Sequence, residues 1–222
     1  MTDATSLPHA VLMGDIVQSE RALSARALHA AFNAAIDAQN AAHAGALASP
    51  LTITLGDEFQ GLTRSLSSAL PILRALRFGL KQDGVDCRFV LGVVQLQTAV
   101  NPERAWNMMG PGLARAREKL QLKTPVTLYR FSLPEAAGTE TLLEAIGAGM
   151  TAIETGWTDR QRQDIEALLS GLTPKELAAR RGVGVHSIYK VRSSGSYDAY
   201  EMQWKALEST LAALDMQLGM TP

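Results

Sequence analysis

At 222 residues, 46% hydrophobic and 19% charged, the chain has the composition of a folded globular protein, long enough for a core domain of ordinary size and a small second one. A formal net charge of -1 gives no global attraction to nucleic acid or to a membrane surface, so binding of either kind must come from local clustering. The single cysteine, Cys87, lies in an apolar run and the four histidines are scattered, which excludes a disulfide framework and a Cys/His zinc site.

The N-terminus, MTDATSLPHAV, has neither a basic region nor an apolar helix, and no run reaches about 18 apolar residues, so a cytoplasmic protein outside the membrane is expected. An apolar strand, Val11 to Met13, runs into Gly14 and Asp15, with Ile16 and Val17 following. Ser19 is a candidate cap for a helix through ERALSARALHAAFNAAIDAQNAAH, whose Leu28, Phe32, Ala35 and Ile36 form one apolar stripe. Gly45 and Ser49-Pro50 end that region. In LTITLGDEFQGL, Thr52 and Thr54 alternate with Leu51, Ile53 and Leu55, and Gly56-Asp57 is turn chemistry, predicting a hairpin with Asp57-Glu58 at its tip. Acids at hairpin tips are commonly just solvated turn residues. Here two strands ending in Gly-Asp can pair, bringing Asp15 and Asp57 to one sheet edge, where their repulsion calls for a divalent cation or a shared proton. Mg²⁺ or Mn²⁺ on hard oxygen ligands, completed by a nucleoside triphosphate, fits that need.

A second helix is expected in SLSSALPILRALRFGLKQDG, with Leu66, Leu70, Leu73 and Leu80 at helical spacing and Pro71 implying a late start or a kink. CRFVLGVVQLQT reads as a buried strand. In NPERAWNMMGPGLARAREKLQ, Pro102 suits a helix start and Gly110-Pro111-Gly112 a break, with Leu113, Ala116 and Leu120 inward on the restart and Arg115 and Arg117 on different faces. TPVTLYRF, bounded by Lys123-Thr124-Pro125, is a further strand. A connector begins at Pro134, and ETLLEAIGAGMTAIETG is a helix with Leu142, Leu143 and Ile146 inward. Strand, helix, hairpin, helix, strand predicts an α+β sandwich of ferredoxin-like type, helices on one face of the sheet.

These residues carry a resemblance. GDIVQS with ITLGDEFQGL is similar to the metal-binding pair of class III nucleotidyl cyclases, and the letters GDEF also resemble diguanylate cyclases, although Leu55 replaces a glycine of that family. Together with GPGLARARE, the match over roughly residues 9 to 130 resembles the SatD family of small bacterial proteins. The resemblance implies a cyclase-like palm in which Asp15, the Ile16 carbonyl and Asp57 hold Mg²⁺ or Mn²⁺. Gly14, Gly56, Glu58 and Asn107 become nucleotide-binding candidates, and Arg117 the arginine that neutralises phosphate charge. Arg117 reads equally as a surface arginine paired with Glu118 or a neighbour. The ribose-orienting asparagine of the cyclases is missing, since Leu113 or Ala114 falls there. Ile53 replaces their base-reading lysine, and Asn107 lies near their base-reading aspartate.

A new unit begins at Trp157, where Thr158 to Gln161 resembles a capping box and Ile165, Leu168 and Leu169 share a side of the next helix. In TPKELAARRGVGVHSIYKVRSSG, Thr173 caps a helix with Leu177 and Ala178 inward. Gly182 suits a turn needing positive φ, and Val183, Ile188 and Val191 supply apolar contacts. This spacing resembles the helix-turn-helix of sigma-factor region 4 and LuxR-type regulators. The resemblance places Val185, His186, Tyr189 and Lys190 toward a major groove of double-stranded DNA, with Arg192 and Arg180 or Arg181 toward phosphates. A long final helix carries Tyr200, Trp204, Leu207, Leu211 and Leu214, a stripe for packing within the chain or for a homodimer. The domains expected are a palm over 1–133, a connecting helix over 134–156 and a helix-turn-helix unit over 157–222. The reading is a regulator that binds metal, nucleotide and DNA, the alternative being a nucleotidyl cyclase or nucleotidyltransferase using two-metal phosphoryl transfer.

Overall fold

The structure, a computed structural model, describes residues 8–19, 24–122 and 126–221, with the side chains of 18 and 19 excepted. Strand β1 (His9–Ser19) is followed by helix α1 (Ala25–Ala42), β2 (Leu47–Ile53), β3 (Glu58–Thr63), α2 (Leu66–Gln82) and β4 (Val85–Val94). Then come α3 (Leu113–Gln121), β5 (Tyr129–Ser132) and five successive helices, α4 (Ala137–Thr155), α5 (Asp159–Leu169), α6 (Pro174–Arg181), α7 (Val185–Ser194) and α8 (Tyr197–Leu218). The five-stranded sheet has the order β2-β3-β1-β4-β5. Strand β1 pairs antiparallel with both β3 and β4, β2 pairs antiparallel with β3, and β5 joins β4 in parallel. The first four strands and two helices thus form two interleaved split βαβ units, the ferredoxin-like arrangement.

The period of two along β1 explains why the sheet needs covering on both sides. Ala10 and Leu12 join Phe59, Phe89 and the residues of α1 and α2 in one core, whereas Val11 and Met13 join Leu62, Val90, Ala116 and Leu120 in another. The expectation of helices on one face is therefore corrected: α3 closes the opposite face, because these strands are apolar on both sides. Leu113, Ala116 and Leu120 do turn inward from α3.

Four boundaries differ from the sequence expectation. Strand β1 continues through Gly14 and Asp15 to Ser19 instead of ending there, since β4 offers partners out to Val85. Ser24, not Ser19, caps α1, its Oγ accepting the Ala27 amide at 3.2 Å. Ser49 and Pro50 lie inside β2, where register shifts against β3 and an outer position in the sheet accommodate proline. Residues 102–110 form no helix, and the 101–105 backbone is tied to the sheet at Asn101 and Ala105. The Ser49 hydroxyl donates to Asn101 O at 2.6 Å, Thr52 Oγ1 accepts the Ala105 amide at 2.9 Å, and Gln60 Nε2 donates to Ala105 O at 2.6 Å. Pro71 lies inside α2, which starts at Leu66 under a Ser65–Ser68 capping box. The Lys123-Thr124-Pro125 boundary lies outside the described residues.

The last helices pack on the face that carries α2. Trp157 stacks on Phe78 of α2 with ring centroids 6.2 Å apart, and Trp204 of α8 meets Tyr129 of β5 edge-on at 6.0 Å. The α8 stripe of Tyr200, Trp204, Leu207, Leu211 and Leu214 is buried within the chain. Beneath it the Glu154 carboxylate accepts from Arg77 Nε at 2.7 Å, from the Tyr200 hydroxyl at 2.5 Å and from the Tyr129 hydroxyl. Burial first, then the Glu154 charge, pushes both tyrosine hydroxyls well above their ordinary range. From α8, Asp215 accepts the Leu66 amide at 2.7 Å, the Ser67 amide at 2.9 Å and the Ser67 hydroxyl at 2.5 Å, capping α2 from 149 residues away. In α4 the inward face is Glu140, Leu143, Gly147, Met150, Thr151 and Glu154. Leu142, expected inward, is exposed because it falls about 100° off that stripe.

Candidate functional site

One row of side chains on the α3 face changes character along the sheet. Val11 and Met13 of β1 lead to Asp15, Leu62 of β3 leads back to Gln60 and Glu58, and Val90 of β4 leads back to Arg88. In register, Asp15 sits between Glu58 on β3 and Arg88 on β4. Arg88 Nε donates to Asp15 Oδ1 at 2.5 Å and Nη2 to Oδ2 at 2.8 Å, a bidentate fork between side chains only 8% and 13% exposed. Arg88 was not anticipated. The only sequence signal for it is a cation inside the otherwise apolar CRFVLG run, and its partner follows from the strand register alone.

The hairpin tip is fixed beside this pair. The Thr54 amide donates to Glu58 O at 2.8 Å, Gly56 takes a φ of 81°, and the Ile16 amide donates to Asp57 O at 3.0 Å. Asp57 therefore lies next to the Asp15–Ile16 peptide, with its own side chain in solvent. Burial, then the charges of Asp15 and Asp57, hold the Glu58 carboxyl above the usual carboxylate range, against the opposing charges of Arg117 and Arg88. Gly14 is a packing position: a Cβ there would meet the Phe59 ring at 2.4 Å.

Helix α3 brings Arg117 over the same end of the sheet. Its Nη2 donates to Gln60 Oε1 at 2.9 Å, and Gln60 in turn holds the 101–109 loop through Ala105 O. Arg115 points away to Glu140 of α4. Asn107, exposed at a φ of 56°, follows Trp106 in that loop. The helix start at Gly112 is fixed by the Gly110-Pro111-Gly112 run, which lies against the end of β4: the Gln95 amide donates to Pro111 O at 3.1 Å. This end of the sheet thus carries the Asp15–Arg88 fork, Glu58, the hairpin tip with Asp57, and Arg117 outside the fork. Among the described residues, no three His, Cys, Asp or Glu side chains are gathered as a ready ion cage.

At the other end of the chain, α6 and α7 are joined by a tight turn. Gly182 takes the left-handed conformation at a φ of 64°, Thr173 and Glu176 form a capping box, and Leu177, Ala178 and Ile188 are buried. His186, Tyr189 and Lys190 are exposed on α7, and Arg180 on α6. Val185 is half-buried and packs against the core. Arg181 is paired with Asp164, while Arg192 donates to Asp198 at 2.5 Å and lies 4.7 Å from the centre of the Tyr197 ring. No helix among the described residues is long and apolar enough to cross a membrane.

No curated protein matches the chain. Among solved structures it is similar to the guanylate cyclase domain of RhGC from Catenaria anguillulae in complex with GTP, at 16% identity and a TM-score of 0.37, over 50% of this chain and 70% of that one. The model of the SatD family matches residues 9–195, from the first residue of β1 to the residue after α7, and the chain belongs to that family.

Proposed function

We propose that this SatD-family chain binds a nucleoside triphosphate together with one divalent cation at the charged end of the sheet. The observation that carries the reading is Asp15 in register with Glu58 at the sheet end to which the Asp57 backbone is tied through Ile16, with Arg117 brought over it by α3 and held on the neutral Gln60. Asp57, Glu58, the Ile16 carbonyl and the outer lone pairs of the Asp15 oxygens are the hard donors for Mg²⁺ or Mn²⁺. Bound there, the ion offsets carboxylate repulsion and screens phosphate charge. Arg117 is the phosphate ligand, and Gly56, with open space where a Cβ would be, leaves the hairpin tip clear, whereas the space beside Gly14 is filled by Phe59. The Arg88 fork favours binding over two-metal phosphoryl transfer, which needs the first aspartate free to bridge two ions.

The test is calorimetry with each of the four ribonucleoside triphosphates and Mg²⁺ or Mn²⁺, with products resolved by mass. Metal-dependent binding lost in Asp57→Asn, with no new product, is the expected result. A cyclic or linked nucleotide that disappears in Asp57→Asn would overturn the binding reading in favour of an enzyme.

The second half of the reading is double-stranded DNA. The left-handed turn at Gly182 and the exposure of His186, Tyr189 and Lys190 on α7 support it, with Val185 at the helix start and Arg180 toward a phosphate. Arg181 and Arg192 would reach phosphates only by exchanging their carboxylate partners. A gel-shift series should show affinity falling steeply with salt, and Lys190→Ala should flatten that slope by about one ion. Salt-independent retention would refute DNA binding. Nucleotide occupancy as the signal that biases the DNA-binding state completes the proposal; the α8 stripe, buried within the chain, gives no face for a homodimer.

A further inference from the structure

We infer that Trp106 is the platform on which the nucleobase stacks, and that Gln60 fixes its span from the phosphate-binding arginine; the inference rests on the nucleotide reading above. The chain has three tryptophans. Trp157 and Trp204 are core residues at 7% and 2% exposure, whereas Trp106 is 50% exposed. An isolated exposed tryptophan needs no explanation, but the loop that carries this one is tied to the sheet. The residue before it is clamped on both sides of its peptide unit, its amide on Thr52 Oγ1 at 2.9 Å and its carbonyl on Gln60 Nε2 at 2.6 Å. Asn101 braces the loop further, its Oδ1 accepting the Glu103 amide at 3.0 Å and the Arg104 amide at 3.2 Å.

Gln60 is the link to the charged site. Its Nε2 holds the carbonyl of Ala105, just before Trp106, while its Oε1 accepts from Arg117 Nη2, so one side-chain amide links the tryptophan loop to the guanidinium. Glu58 is two residues away on the same face of β3. An exposed aromatic residue on a loop that one glutamine joins to a cation, near carboxylates, matches the two ends of one ligand class. A nucleoside triphosphate offers a flat π-system at one end and a metal-charged anion at the other. Inorganic tripolyphosphate offers only the second. Asn107, directly after Trp106 and exposed, presents an amide that can meet the edge of a stacked base.

Acrylamide quenching isolates Trp106, because the other two tryptophans are buried. Saturating ATP or GTP with Mg²⁺ should shield Trp106 from acrylamide, while tripolyphosphate should compete for the site and leave the ring accessible. Trp106→Ala should weaken nucleoside triphosphate binding on the order of 10-fold or more and leave tripolyphosphate affinity unchanged, and Trp106→Phe should restore most of the loss. Emission from Trp157 and Trp204 reports in each variant that the core is intact. Equal triphosphate affinity in Trp106→Ala and the wild type, or a fully quenchable Trp106 in the saturated complex, would overturn the platform while leaving the nucleotide site standing. Failure of the wild type to bind either nucleotide or tripolyphosphate would overturn the nucleotide reading and the platform with it.

Discussion

Replacing Asp215 by alanine tests how far the last helix supports the sheet domain. The first amides of a helix have no partner inside it. In α2 the third is met by Ser65 Oγ, but the first two, on Leu66 and Ser67, are met by Asp215, which is 3% exposed. Alanine leaves both donors without an acceptor and removes a carboxylate from the positive end of the helix. At about 1–3 kcal/mol for each buried donor, reduced where water can reach the half-buried Ser67, the loss is about 3 kcal/mol. A chain of this size loses about 2–4 °C of Tm per kcal/mol, so melting should fall by about 6–12 °C. Urea unfolding, with hydrogen exchange at Leu66 and Ser67 as the local readout, measures it. Asp215→Asn, which keeps one acceptor but turns an amide toward the Ser67 donors, should also be destabilising, and by less than alanine. A midpoint within about 0.5 kcal/mol of the wild type, with exchange unchanged at those two amides, would refute the capping argument.

Three other perturbations probe the charged site. Because the Glu58 carboxyl sits above its ordinary range, the folded state takes up its proton more readily than the unfolded chain, and its contribution is lost as pH rises through the folded value. Glu58→Gln should therefore melt higher than the wild type at about pH 8, the gap closing by about pH 4, as thermal scans across pH would show. Arg88→Met leaves Asp15 without its fork and should cost about 2–3 kcal/mol; Mn²⁺ should then raise Tm more in the variant than in the wild type, and an equal rise would sink the idea that Arg88 occupies one cation's place. In Gly110→Ala the new Cβ would lie 1.9 Å from Gln95 O, so the loop carrying Trp106 must shift at a cost of about 1–3 kcal/mol, visible in urea midpoint and in Trp106 emission together.

Locally encoded features were readable in the sequence. The hairpin at Gly56-Asp57, the capping box at Thr158, the Thr173 cap and the left-handed Gly182 each depend on residues within a few positions of one another. The misread features depend on distant partners. The 102–110 stretch has a proline and helix-forming residues, yet its Ala105 peptide is claimed by Thr52 and Gln60, roughly fifty residues earlier, and no local pattern announces that. The same holds for Arg88, whose role exists only once β1 and β4 are in register, and for Asp215, which reads as a surface acid on an amphipathic helix until α8 lies across the start of α2. The Asp15–Asp57 juxtaposition was inferable because both acids follow a glycine in strand-like runs, although Asp15 proved to lie within its strand.

The two outer strands decide how this sheet meets other copies of itself. Pro50 removes an amide from β2, whose pairing with β3 also slips twice, and β5 at the opposite side is only four residues long. Neither border offers the long, flat row of free amides and carbonyls that templates polymerisation between chains. Strand addition, the route by which an exposed sheet edge recruits a second chain, is thereby disfavoured at both borders of this sheet.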